Sequence, residues 1–134
     1  MNMDIIATQK FLLMSPKKIR PVADIVKKLS PTKAIEVLPF IGKKAALPLA
    51  KVIKTAIGNA VQKGYSADDL RFKEIQIGEG PRLKRGRPVS RGRWHPYKRR
   101  MSHIRVVVET TNKGQPATKK DGTNVDVSFD PSKL

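Results

Sequence analysis

Apolar positions along the chain change rhythm several times, and each change predicts an element. Residues 3–13 are apolar and tolerant of extended backbone, which predicts a first strand. Ser15-Pro16 and Ser30-Pro31 each predict a helix start, with serine placed to cap and proline at the first helical position. Behind the first start, Ile19, Val22, Ala23, Val26 and Leu29 follow the spacing of one apolar helix face. Pro21 lies inside that pattern and lacks a backbone N–H, so the first turn is expected to be irregular. A second, shorter helix carries Ala34, Ile35 and Leu38 and stops at Pro39. The third has the longest stripe: Ala45, Ala46, Leu49, Val52, Ile53, Ala56, Ile57, Ala60 and Val61 hold the helical period. Lys44, Lys51 and Lys54 fall largely off it, Pro48 sits near its start, and Gly64 suits the position just past its end. Such a stripe is expected to face a core rather than a ligand.

Two further strands follow. Ile75 and Ile77 alternate with polar residues over 70–79, and Ile104–Glu109 is rich in β-branched side chains. Gly78-Glu79-Gly80-Pro81 reads as the exit from the first of these, and Asp68 and Asp69 as a turn before it. From about residue 112 the chain is polar, with Val125, Val127 and Phe129 the only apolar cluster, and a flexible tail over 112–134 is expected. No internal repeat is evident.

Composition narrows the picture. With 134 residues, 39% of them apolar, the chain fits one domain with a modest core. The formal charge of +17 repels itself in a compact state, so the natural partner is a polyanion. RNA, DNA and anionic membranes all satisfy that condition on charge alone. There is no cysteine, which removes disulfides, thiolate metal sites and thiol nucleophiles. No apolar run approaches the roughly 20 residues of a membrane span. The N-terminus lacks the basic region of a secretory signal, and a cytoplasmic setting is expected.

The charge is concentrated. Residues 82–100 read RLKRGRPVSRGRWHPYKRR, and nine of these nineteen are Lys or Arg with no acid among them. Arginine predominates, which suits forked bonding to phosphate and stacking on bases. Gly86 and Gly92 permit turns or close approach, Pro88 and Pro96 stiffen the path, and Trp94 and Tyr97 offer faces for unpaired bases. A merely solvated loop or a nuclear localisation signal has similar charge. Neither needs paired glycines, prolines and aromatics between two apolar strands. If those strands pair, the segment projects as a β-hairpin arm, ordered chiefly by the RNA around it.

Catalysis finds no foothold. Ser102 and His103 are neighbours in a strand and point to opposite faces, so they make no nucleophile–base pair. His95 and His103 lack a carboxylate cluster that would complete a metal site, and no phosphate-binding glycine motif is present. No metal or cofactor is expected. A free-standing DNA-binding or regulatory module remains open beside an RNA-binding structural protein.

Several fragments, in order and at compatible spacing over about residues 4–109, resemble the family of large-subunit ribosomal protein twenty-two. They are Ser15-Pro16-Lys17-Lys18-Ile19-Arg20-Pro21-Val22-Ala23-Asp24, Lys43-Lys44-Ala45-Ala46, Ala56-Ile57-Gly58-Asn59-Ala60, Asp69-Leu70 and Glu79-Gly80-Pro81. Lys84-Arg85, Arg91-Gly92-Arg93, Lys98-Arg99-Arg100 and Ser102-His103-Ile104-Arg105-Val106-Val107-Val108 continue the match. The resemblance implies an α+β fold, three helices packed on a three-stranded antiparallel sheet with a long extended β-hairpin arm. It implies a globular domain over 1–111 that includes the hairpin at 80–102. The implied function is structural: binding large-subunit ribosomal RNA, supporting subunit assembly and lining the polypeptide exit tunnel. Implied partners are that RNA, neighbouring large-subunit proteins and the nascent polypeptide. The implied RNA-binding residues are Lys17, Lys18, Arg20, Arg82, Lys84, Arg85, Arg87, Arg91, Arg93, Lys98, Arg99, Arg100 and His103. Ser90, Arg91, Gly92, Arg93 and Trp94 correspond to the tunnel-lining tip. Trp94 stands where the family commonly has a small residue, and it either reshapes the tunnel or stacks on RNA. The tail beyond Thr110 has no counterpart in short family members.

Overall fold

A computed structural model describes residues 4–110. The expected 112–134 tail lies outside those residues. Six main elements follow in order: β1 (Ile5–Leu12), α1 (Pro16–Val26), α2 (Pro31–Val37), α3 (Ala46–Gln62), β2 (Leu70–Pro88) and β3 (Trp94–Thr110). The strands form one antiparallel sheet in the order β1-β3-β2, with the helices packed against one face. This is the expected α+β arrangement. The central strand contributes Ile104, Val106 and Val108 to the core, spaced by two as a pleated strand requires. Against them pack Ile19, Val22 and Val26 of α1 and Leu49, Val52, Ile53, Ala56 and Ala60 of α3.

The helix boundaries have identifiable causes. Proline occupies the first turn of both α1 and α2, and Ser15 and Ser30 hold extended N-cap backbone, yet neither hydroxyl makes the capping bond expected of it. The Ser30 hydroxyl instead pairs with that of Thr32 at 3.3 Å. Pro21 does not make the first turn irregular, since α1 runs through it unbroken. The carbonyl its missing N–H would have met belongs to exposed Lys17, where water can serve. At the end of α3, Gly64 takes a left-handed φ of 85°, the Gly64 N–H donates to Val61 and the Tyr65 N–H to Ala60. That pair of bonds is a Schellman cap, and glycine is the residue that adopts it without strain. Val61 is 54% exposed although it continues the apolar stripe. Adjacent helical residues lie about 100° apart, so Ala60 takes the core position and Val61 falls at its margin.

The expected hairpin arm is present in the sheet: β2 runs past Gly78–Pro81, β3 begins well before Ile104, and both continue through the basic segment. Gly80 and Pro81 are where the register shifts by one residue, between the Glu79–Ser102 and Arg82–Arg100 pairs. An extra residue in a bulge is left without a ladder partner, so proline's missing donor costs little there. β2 has a second shift at Lys73 and β1 a third between Gln9 and Leu12. Lys73 reaches Asp4, with Nζ 2.6 Å from Oδ2. That contact and its field hold the ammonium above its ordinary pKa.

Candidate nucleic-acid interface

Beyond the bulge the two strands pair without a break from Arg82–Arg100 to Pro88–Trp94. Seven paired positions at about 3.4 Å each give an arm of ~24 Å. Its tip is a tight turn rather than a long loop. Arg91 and Gly92 both have positive φ, 60° and 68°, and the Val89 N–H donates to the Arg93 carbonyl at 2.8 Å. Two successive left-handed residues match the right-handed twist of paired strands, which is why such turns close hairpins.

Register sets the electrostatics. Arg82 lies directly opposite Arg100, and Lys84 directly opposite Lys98. Like charges facing each other across a ladder are destabilising. The next pairs are Leu83–Arg99, Arg85–Tyr97 and Arg87–His95, which occupy the other face by the two-residue alternation. Cations therefore stand on both faces, all of them exposed. The one ion pair within the arm's root joins Arg82 to Glu79 at 3.0 Å. That hydrogen bond, together with the fields of Arg82, Arg100 and Arg20, lowers the pKa of the Glu79 carboxyl. Arg20 of α1 is thus brought to the root of the arm. Lys18 borders the same region beside Lys98, Arg99 and Arg100. Lys17 is exposed on the first turn of α1, away from that lining, and Arg91 and Arg93 stand at the far tip.

Two expected site residues have structural engagements that sequence reasoning missed. Nδ1 of His103 accepts a hydrogen bond from the Phe11 N–H at 3.0 Å, and the Phe11 ring meets it edge-on with centroids 5.1 Å apart. Phe11 has φ 56° and lies in the β1 bulge, so the imidazole supports a strained turn of backbone beside the arm's root. Trp94, the last of the expected tip residues, opens β3 opposite Pro88. Its indole covers Gly86 so closely that a Cβ there would stand 2.1 Å from the ring. A ring laid over a strand glycine supplies the packing that glycine lacks. The signal was available: the Arg91-Gly92 turn fixes the register, and the register makes Gly86 and Trp94 diagonal neighbours. Among the described residues no group of three or more His, Cys, Asp or Glu side chains could hold a metal, and no helix is long and apolar enough to cross a membrane.

Comparison with known proteins finds matches over most of the chain. The family model for ribosomal protein L22p/L17e matches residues 7–109. Large ribosomal subunit protein uL22 of Desulfatibacillum aliphaticivorans is 42% identical over 107 residues, covering 80% of this chain and 99% of that protein. The protein of the same name from Treponema pallidum is 41% identical over 115 residues, covering 84% of this chain and 93% of its own length.

Proposed function

Since the chain belongs to the ribosomal protein L22p/L17e family, a structural constituent of the large subunit in the cytoplasmic ribosome and not an enzyme, we propose that its arm is the principal contact with large-subunit ribosomal RNA. The observation that carries this reading is the facing of Arg82 with Arg100 and of Lys84 with Lys98. An isolated protein gains nothing from opposing cations, whereas phosphates lying along both faces neutralise them and turn repulsion into binding. Arg85, Arg87 and Arg99 serve the second face, and Lys17, Lys18 and Arg20 extend the surface onto α1. His103 sits within this surface as a supporting residue.

The arm is two strands wide, roughly 5 Å between strand axes. That slenderness supports a path between RNA segments to the exit tunnel, where Ser90, Arg91, Gly92 and Arg93 would meet the nascent polypeptide. Contacts to several RNA segments at once would support subunit assembly. The 1–111 unit works as a single globular body carrying its arm. Co-sedimentation of the tagged full chain with ribosomal particles, at moderate and high salt, tests the assignment. Stoichiometric migration with the large subunit is expected. With charge-reversed Arg91 and Arg93, incorporation or tunnel-dependent behaviour should be impaired while the domain stays folded; normal assembly with unchanged tunnel behaviour would refute the role given to the tip.

A further inference from the structure

At the root of the arm lies a groove of about 820 Å³ between the end of β1, α1, the segment before α3 and the returning strand β3. Its floor is apolar, made by Leu13, Pro21, Ile25 and Ile41, with Leu13 59% and Ile25 51% exposed. Its rim carries Lys18, Lys43, Lys44, Lys98 and Arg99, and no acidic residue lines it. Two helices also begin at its edge. Ser15 at the start of α1 and Ala45 at the start of α3 both line it, and neither helix has a side-chain cap or an acid in its first turn. The positive ends of both helices therefore add to the rim.

We infer that this groove holds an unpaired nucleotide of the RNA, its base on the apolar floor and its phosphates against the lysine rim. The inference rests on the RNA-binding reading above and goes further by stating which form of RNA is bound. Phosphate alone would need the cations and leave the floor uncovered. A paired helix presents sugars and phosphates outward and keeps its bases stacked inside. An extruded base has both a flat apolar face and an attached anion, which is how proteins select single-stranded loops and bulges. The volume lies within the roughly 300–1,000 Å³ of sites that enclose small organic groups. Lys98 and Arg99 belong both to the rim and to the arm, so the groove is continuous with the phosphate-binding surface.

The test uses the full chain bound to large-subunit RNA carrying 4-thiouridine. Irradiation is expected to join the segments 13–25 or 41–45 to a nucleotide that single-strand probes modify in the free RNA. Ile25→Asn removes floor without altering charge at an exposed position; it should weaken RNA binding about fivefold or more while leaving the salt slope unchanged. Cross-links confined to the arm, or to paired nucleotides, together with an Ile25→Asn affinity within twofold of the parent, would overturn the groove assignment alone. The same holds if a neighbouring protein or this chain's own 112–134 segment proves to cover Ile25 in the assembled particle. Failure of the parent protein to bind the RNA at all would instead overturn the underlying RNA-binding reading.

Discussion

Single residues at the root and tip of the arm carry more structural duty than their charge suggests. Gly86 has an ordinary backbone conformation, and its constraint is the indole above it. Gly86→Ala should displace Trp94, the chain's one tryptophan, and its emission should move toward that of a fully solvated indole. Unchanged emission would mean that the ring does not rest on the glycine in solution. At the other end, His103→Ala removes the acceptor and the ring edge that hold Phe11 in its left-handed turn. A loss of about 1 kcal/mol in denaturant-measured stability is expected. Glu79 offers a titration. Its folded-state pKa is lowered, so its favourable pairing is present above the ordinary carboxylate value and is lost as pH falls through the lowered one. An NMR pH titration should find the Glu79 carboxyl titrating below the ordinary range in the parent protein. In Arg82→Gln it should move back up, because the largest cause has been removed.

At the scale of elements, the arm is a regular ladder, the extended hairpin that the sequence implies. Prolines at 81, 88 and 96 and glycines at 80, 86 and 92 are turn formers, and their density runs against local strand propensity. Each is accommodated: Pro81 at a bulge, Pro88 facing Trp94, Pro96 facing Gly86. Pairing with a partner strand overrides local propensity, and that partner is not visible in a local window. The helices were legible because their signal is local: a stripe of apolar residues, proline at the start, glycine past the end. The serine hydroxyls were misjudged for the converse reason, since cap position was set by the backbone but hydroxyl direction by its surroundings. The ladder also makes the arm's binding measurable. With about six phosphates met, log K should fall with log salt at a slope of roughly −4 to −5, and Lys84→Ala should flatten it by about one. A salt-independent affinity would remove the electrostatic basis of the proposal.

For the whole molecule, the stabilising core and the proposed RNA-binding arm are spatially separated. No residue from Arg71 through Met101 is buried, while the core lies among β1, the helices, Leu70 and the end of β3. Replacing 82–100 with a short Asn-Gly turn should therefore leave thermal unfolding cooperative and Tm lowered by no more than a few degrees, while RNA binding is lost. A collapse of the fold in that variant would show the arm to be part of the stabilising core. More than half of the net +17 lies in 82–100, away from that core.

The amino-acid sequence by itself determined the helices, the apolar strands, the cationic character of 82–100 and the family, because each is written in local periodicity, composition or ordered motifs. Only the tertiary structure decided the facing of Arg82 with Arg100, the seat of Trp94 on Gly86, the engagement of His103 with Phe11 and the groove between arm and helices. Those features join residues distant in the chain or depend on strand register. A bulge shifts register by one residue, and one residue is enough to move a side chain to the opposite face.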